Sequence, residues 1–117
     1  MSHAADQSKS GVAAAACHDM AAIRREIDRV DRALICLLAE RLTYIERAGV
    51  IKADRAKVRD EARIQDVLTK VKSACLAQGF PFAIAEPVWR ALMEGCIAHE
   101  FGVWDTVNGP KIEPLQA

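Results

Sequence analysis

The chain has 117 residues, 51% of them hydrophobic and 27% charged, so it can bury a core but is too short for two ordinary domains. Its 16 lysine and arginine residues are balanced by 16 aspartate and glutamate residues, which leaves no bulk field to favour nucleic acid or an anionic membrane. Any basic site must therefore be local.

The four cysteines are far apart, and none forms a CxxC or Cys/His finger spacing. This argues against structural zinc and predicts no metal site. Scattered free thiols are typical of a reducing cytoplasm rather than of a disulfide framework. The sequence also has no apolar run of about 18 residues, so we expect no membrane-spanning segment. The cysteines are Cys17, Cys36, Cys75 and Cys96.

Residues 1–18 are small and polar and show no usable period. The stretch GVAAAAC resembles part of an export or lipoprotein signal. However, its apolar run is only about six residues, and the charged region that should precede it is nearly absent. We therefore predict a disordered N-terminal arm over residues 1–18.

Helical periodicity begins after Asp19, a suitable N-cap, and predicts a first helix from about 20 to about 53. Gly49 weakens this helix locally without ending the pattern. About 34 helical residues would span roughly 50 Å, more than the roughly 35 Å width of a compact chain of this length. A second copy of the helix is the simplest cover for the overhang, which predicts an interlocked homodimer. The apolar stripe consists of Ile23, Ile27, Val30, Leu34, Leu37, Leu38, Ile45, Ala48 and Ile51.

Two more helices are expected after a short polar link. Asp60 can cap the second helix, and QGFP at 78–81 predicts its end. The third helix should begin between about 82 and 87 with Pro87 in its first turn. The sequence NGP at 108–110 should end the ordered structure. No segment alternates convincingly as a strand. We therefore predict an all-α chain of three helices, with a helical domain at 19–106 and a flexible tail at 107–117. The inner faces comprise Ile64, Val67, Leu68, Val71 and Cys75, then Trp89, Met93, Cys96, Ile97, Glu100 and Trp104.

Charged residues occupy positions of these stripes where apolar residues are expected. Arg41 and Lys52 are eleven residues apart, about three turns, and so leave the same face of the first helix about 16 Å apart. Glu100 takes a similar position on the third helix. A buried unpaired charge is costly. Either Lys52 pairs with Glu100 and Arg41 with another carboxylate, or the side chains reach outward, or the cations form a small pocket for a compact dianion.

Three segments carry a resemblance to a known family. The segments IRREIDRVDRALICLLAERLTYIERAGVIK, VRDEARIQDVL and VWRALMEGCIAHEF are similar to those of AroQ-type, all-helical chorismate mutases, a fold shared by small isochorismate–pyruvate lyases. The combination Ile-Arg-x-x-Ile-Asp-x-x-Asp, Leu-Leu-x-x-Arg and a Lys eleven residues later is specific, although each piece alone is weak. The resemblance covers about residues 20–105. It implies three helices per chain, interlocked in a dimer with two active sites.

The resemblance also implies roles for the cations of the first helix. Arg24 would reach into the partner chain's site and hold a substrate carboxylate. Arg41 would hold a carboxylate within its own chain. Lys52 would donate to the ether oxygen of the enolpyruvyl group. The reaction would be a concerted rearrangement of chorismate to prephenate, which needs no metal or other cofactor.

The remaining implied site residues lie on the second and third helices. Asp60 and Arg63 match the motif near the substrate hydroxyl and carboxylate, and Glu100 matches a second donor to the ether oxygen. We also expect Cys96, on the inner face of the third helix, to be a substrate-binding residue. Two departures from the family pattern favour different substrates. Ile64 stands where many mutases have Glu, and an apolar residue at this position resembles the lyases. Glu100 stands where Gln is common, including in the lyases, but some mutases also have Glu there.

The expected function is therefore a cytoplasmic chorismate mutase of phenylalanine and tyrosine biosynthesis. An isochorismate–pyruvate lyase that forms salicylate and pyruvate is the alternative. A catalytically inactive helical dimer with a regulatory or scaffold role is a third hypothesis, but the presence of Arg24, Arg41, Lys52 and Arg63 argues against it.

Overall fold

The computed structural model describes residues 11–109, which form three α-helices and no strand. We label them α1 (Met20–Ile51), α2 (Glu61–Gln78) and α3 (Phe82–Asn108). Two short 3₁₀ turns lie at Ala14–Ala16 and Arg55–Lys57. The prediction of an all-α chain with three helices is confirmed for this part of the molecule. The chain divides into two compact units, Met1–Tyr44 and Ile45–Ala117, with the boundary inside α1.

In the first unit, Asp19 caps α1 as predicted. Its Oδ1 accepts a hydrogen bond from the backbone N–H of Ala22 at 2.7 Å, which satisfies one of the free donors of the first turn. The segment before α1 also has defined structure, because the N–H of Val12 donates to Oε1 of Glu26 at 2.8 Å. The disordered arm at residues 1–18 remains a prediction, and residues 1–10 of it lie outside the described residues.

The apolar stripe of α1 is largely uncovered in the first unit. Four of its large side chains are between 38% and 52% exposed although they follow the helical period of a buried face. These residues are Ile27, Val30, Leu34 and Leu37.

In the second unit, α2 begins and ends as the sequence predicts. Asp60 is its N-cap, and the carboxylate accepts from the backbone N–H of Arg63 at 3.0 Å. Gly79 ends the helix in the left-handed conformation with φ of 68°, which favours glycine because it has no Cβ. Pro81 follows as the N-cap of α3, so only a tight connection separates the two helices.

The core of the second unit lies between α2 and α3. Ile64, Leu68 and Met93 form a buried cluster. The predicted inner faces of both helices are confirmed for the residues of this cluster. The cluster is extended by the half-buried side chains of Val67, Trp89 and Ile97.

The third helix begins and ends where the sequence predicts, but Pro87 does not lie in its first turn. Because Pro81 already serves as the N-cap, α3 begins at Phe82 and Pro87 lies inside the helix, in its second turn rather than its first. The helix therefore lacks the backbone donor that would bond one turn back. At the other end α3 continues to Asn108, the first residue of the NGP sequence that is expected to end the ordered structure. Residues 110–117 of the predicted tail lie outside the described residues.

Candidate functional site

The end of α1 meets the middle of α3 at a lysine–glutamate pair. Nζ of Lys52 lies 2.6 Å from Oε2 of Glu100, and Glu100 is only 4% exposed. The side chain of Lys52 keeps 30% of its surface exposed. The structure thus contains the pairing that the sequence left open as one alternative for these two residues. The Lys52 ammonium is held in a fixed direction by the Glu100 carboxylate, which has little contact with solvent.

A glycine allows the two helices to approach at this point. A Cβ placed on Gly49 would lie 3.1 Å from Cγ1 of Val103 and 3.2 Å from both Cγ and the carbonyl oxygen of Glu100. These distances are tighter than ordinary van der Waals contact. Sequence reasoning treated Gly49 only as a weak point of the helix. The sequence signal for this close approach was the position of Gly49 on α1, about one turn before Lys52.

The backbone of Lys52 is also held by α3. The indole N–H of Trp104 donates to the carbonyl oxygen of Lys52 at 3.0 Å. Next to it, Arg55 donates to both carboxylate oxygens of Asp105 at 2.8 and 3.2 Å and lies 4.4 Å above the ring of Phe101. These hydrogen bonds hold the pKa of Asp105 below its usual value and raise that of Arg55. The sequence predicted only an inward-facing Trp104 and missed these contacts.

A second arginine attaches the α1–α2 connection to α3. Arg59 donates through Nη1 and Nη2 to the two carboxylate oxygens of Glu94, both at 2.8 Å, and through Nε to Glu61. The hydrogen bonds from Arg59 lower the pKa of Glu94. Between the two arginines, Val58 is 3% exposed, so this connection is anchored by an apolar contact as well.

Asp60 and Arg63 are not in contact with the Lys52–Glu100 pair in the described part of this chain. Asp60 caps α2. The side chain of Arg63 is 60% exposed and donates to Asp66 at 2.6 Å. Hydrogen bonds from Lys70, which has the larger effect, and from Arg63 lower the pKa of Asp66. The substrate contacts that the resemblance assigns to Asp60 and Arg63 remain predictions.

Arg24 and Arg41 belong to the first unit. Arg24 is exposed near the start of α1, and Arg41 is half-buried further along the same helix. Their implied roles remain predictions. Cys96 is 9% exposed on α3, one turn before Glu100. It therefore belongs to the inner face, as predicted, while its contact with substrate remains a prediction.

Two further residues of interest, His99 and Ile64, have defined contacts in the second unit. Nε2 of His99 lies 2.7 Å from Oε2 of Glu46, which adds a partly exposed link between α1 and α3. Ile64, which stands where many mutases have Glu, is 8% exposed within the core cluster with Leu68 and Met93. The side chain at this position is thus directed into the core of the second unit.

Within residues 11–109, no group of three or more His, Cys, Asp or Glu side chains is arranged to hold a metal ion. None of the helices in this range is sufficiently long and apolar to cross a membrane.

Comparison with known proteins identifies the class. Residues 23–101 match the family described as "Chorismate mutase type II", so about two thirds of the chain is covered and the chain belongs to this family. A curated relative is an isochorismate pyruvate lyase of Pseudomonas aeruginosa, with 25% identity over 93 residues, 80% of this chain and 92% of the relative. No significant match to a solved structure was found. The resemblance inferred from the three sequence segments is therefore confirmed at the level of the family.

Proposed function

We propose that this chain is a cytoplasmic chorismate mutase that converts chorismate to prephenate for phenylalanine and tyrosine biosynthesis. The observation that supports the proposal most is the Lys52–Glu100 pair, in which α3 holds an ammonium group at a fixed position beside a buried carboxyl group. Membership of the chorismate mutase type II family supports the reaction class.

In the proposed mechanism, the ether C–O bond of chorismate breaks while a new C–C bond forms, and no atom leaves the molecule. Negative charge grows on the ether oxygen in the transition state. The Lys52 ammonium stabilises this charge more strongly in the transition state than in the ground state, which is the condition for a higher rate. Arg24 and Arg41 bind the two substrate carboxylates and select the compact conformer, because a guanidinium can form paired hydrogen bonds with a carboxylate.

Glu100 has a positioning role in this mechanism. Its carboxylate accepts a hydrogen bond from Lys52 and holds the ammonium in place. A carboxyl group that carries a proton also offers an O–H donor, which could reach the ether oxygen at this position.

We further propose that the active form is a homodimer in which Arg24 enters the partner's site. The exposed apolar stripe of α1 supports this arrangement, since about half of the surface of Ile27 and Leu34 is open to solvent in the single chain. An apolar surface of this extent on one helix is typical of an interface.

A second candidate function is isochorismate–pyruvate lyase. In that reaction the corresponding ether bond breaks and a ring hydrogen moves to the leaving enolpyruvyl group, which yields salicylate and pyruvate. The same ammonium could serve it. Two observations favour it: Ile64 contributes a buried apolar side chain in place of a carboxylate, and the curated relative is a lyase.

Product analysis with each substrate separates the candidates. We expect prephenate from chorismate, whereas salicylate and pyruvate from isochorismate, without appreciable prephenate formation, would instead establish the lyase. Lys52→Ala should abolish most of either activity. If the folded wild-type protein turned over neither substrate, both enzyme proposals would be wrong and a regulatory or scaffold role would stand.

A further inference from the structure

We propose that Trp104 is a positioning residue for Lys52, and that its indole N–H determines where the ammonium of Lys52 is held. This inference rests on the proposed function, because it concerns the group that would stabilise the breaking ether bond. Three contacts carry it: the hydrogen bond from Trp104 to the Lys52 carbonyl, the pairing of Lys52 with Glu100, and the end of α1 at Ile51.

The carbonyl of Lys52 needs a partner because it lies just past the end of a helix. The N–H of Lys52 still donates to the carbonyl of Ala48 at 3.0 Å, but α1 ends at Ile51, so the last carbonyls have no donor one turn ahead. Trp104 supplies one from α3 at 3.0 Å, in a partly buried position. A backbone group at this depth is costly to leave without a partner.

Glu100 and Trp104 are one turn apart on α3 and therefore share a face. Glu100 holds the side chain of Lys52 and Trp104 holds its backbone, so the lysine is fixed at both ends by one rigid helix. The flexible side chain of lysine lies between these two points, and fixing both points restricts the positions that Nζ can reach.

The neighbouring Arg55–Asp105 pair contributes less to this restraint. Its side chains are 52% and 50% exposed, and ion pairs of this kind are screened by solvent and salt. It also joins α3 three residues beyond Lys52 rather than at Lys52 itself. Of the Trp104–Lys52 and Arg55–Asp105 contacts, only the hydrogen bond from Trp104 is made to the catalytic lysine itself.

The test compares two Trp→Phe variants on the same helix. Trp104→Phe removes the donor and keeps an aromatic ring. Trp89→Phe is the matched control, because Trp89 packs against the core cluster of Ile64, Leu68 and Met93. We expect Trp104→Phe to lower kcat about tenfold with little change in KM, since a small misplacement of a catalytic group affects the transition state most. Trp89→Phe should retain kcat.

A spectroscopic measurement reports on Lys52 without any turnover. The Nζ and Cε resonances of Lys52 in the NMR spectrum should shift in Trp104→Phe and stay in place in Trp89→Phe. Should Trp104→Phe fold poorly, replacing Trp104 with benzothienylalanine in the Trp89→Phe background keeps the size of the bicyclic ring and removes only the N–H donor. The same loss of kcat and the same resonance shift are expected.

Unchanged kcat and unchanged Lys52 resonances in a folded variant without the Trp104 donor would overturn the inference. That result leaves the proposed function intact as long as Lys52→Ala inactivates the enzyme. If Lys52→Ala remained active, the proposed function would fail instead, and the resonances alone would decide whether Trp104 positions Lys52.

Discussion

Lys52 is the residue on which the proposed chemistry depends most. Lys52→Ala removes the ammonium aimed at the breaking ether bond, and loss of one such donor typically lowers kcat on the order of 10²–10³-fold. Lys57→Ala is the matched control, since Lys57 is an exposed lysine of the same connection. Steady-state kinetics with the substrate that the enzyme turns over measures both. Equal kcat values for the two variants would contradict the role of Lys52.

Glu100 should be replaceable by a residue that carries a neutral donor. Its carboxylate accepts from Lys52 at 2.6 Å, whereas the carboxamide of glutamine offers an N–H to the substrate as well as an oxygen to Lys52. We therefore expect Glu100→Gln to keep or raise kcat and Glu100→Ala to lower it. Steady-state kinetics measures both variants. A kcat for Glu100→Gln as low as that of Glu100→Ala would show that a donor at this position does not control the rate.

At the residue scale, the sequence was informative where a charge interrupts an apolar stripe. Glu100 was found in this way, and the structure shows it to be buried and paired with Lys52. Trp104 was predicted only to face inward. Its hydrogen bond could not be predicted because the acceptor is a backbone carbonyl at the end of another helix, which no side-chain pattern marks.

The contact between α1 and α3 requires a glycine at position 49. In Gly49→Ala the added methyl group would crowd Val103 and Glu100, and we expect the free energy of unfolding to fall by about 1–3 kcal/mol, as in other overpacked sites. Gly95→Ala is the control, because a Cβ there has no neighbouring atom within 4 Å. It should raise the free energy of unfolding by about 1 kcal/mol through better helix propensity.

Urea denaturation of both variants measures these changes. Equal stabilisation by the two substitutions would mean that α1 and α3 do not approach closely at Gly49.

The stabilisation by the Arg59–Glu94 contact, which joins the α1–α2 connection to α3, should be lost at acidic pH. Hydrogen bonding to Arg59 lowers the pKa of Glu94 in the folded state below its ordinary value, so protonation favours the unfolded chain. The stabilisation is present above the ordinary glutamate pKa and is lost as the pH falls through the lowered folded-state value. We therefore expect the urea midpoint to decrease between about pH 5 and pH 3.

Glu94→Gln should make this decrease shallower, because the substituted side chain does not titrate. Glu40→Gln, at an exposed position of α1, is the control and should keep the wild-type slope. If Glu94→Gln and Glu40→Gln gave the same slope, the Arg59–Glu94 pair would not contribute to acid stability.

The helices could be predicted from their caps and periods, with an error in the position of Pro87 within α3. Asp19, Asp60 and Gly79 mark their helix ends because the responsible groups are local in sequence. Pro87 was placed wrongly because either it or Pro81 could start α3, and only the tight connection after Gly79 decides between them. The hydrogen bond from the N–H of Val12 to Glu26 could not be predicted, because residues 11–18 show no period and the acceptor lies on α1.

At the scale of the whole molecule, α1 carries an apolar surface that the described part of the chain leaves open. Val30 and Leu37 are 38% and 44% exposed, and both follow the period of a buried stripe. The sequence predicted this stripe and, from its length, a second copy as its cover. How a second copy would lie on this stripe could not be predicted, because the period of one helix does not specify the position of another chain.

We propose that a complete site combines Lys52 of one chain with Arg24 of its partner. Arg24→Ala and Lys52→Ala should each be inactive as homodimers. Mixed under conditions that exchange subunits, they should form heterodimers in which one of the two sites retains both residues. Random exchange should restore about a quarter of the wild-type activity. Native mass spectrometry that showed heterodimers without recovered activity would contradict a site shared between two chains.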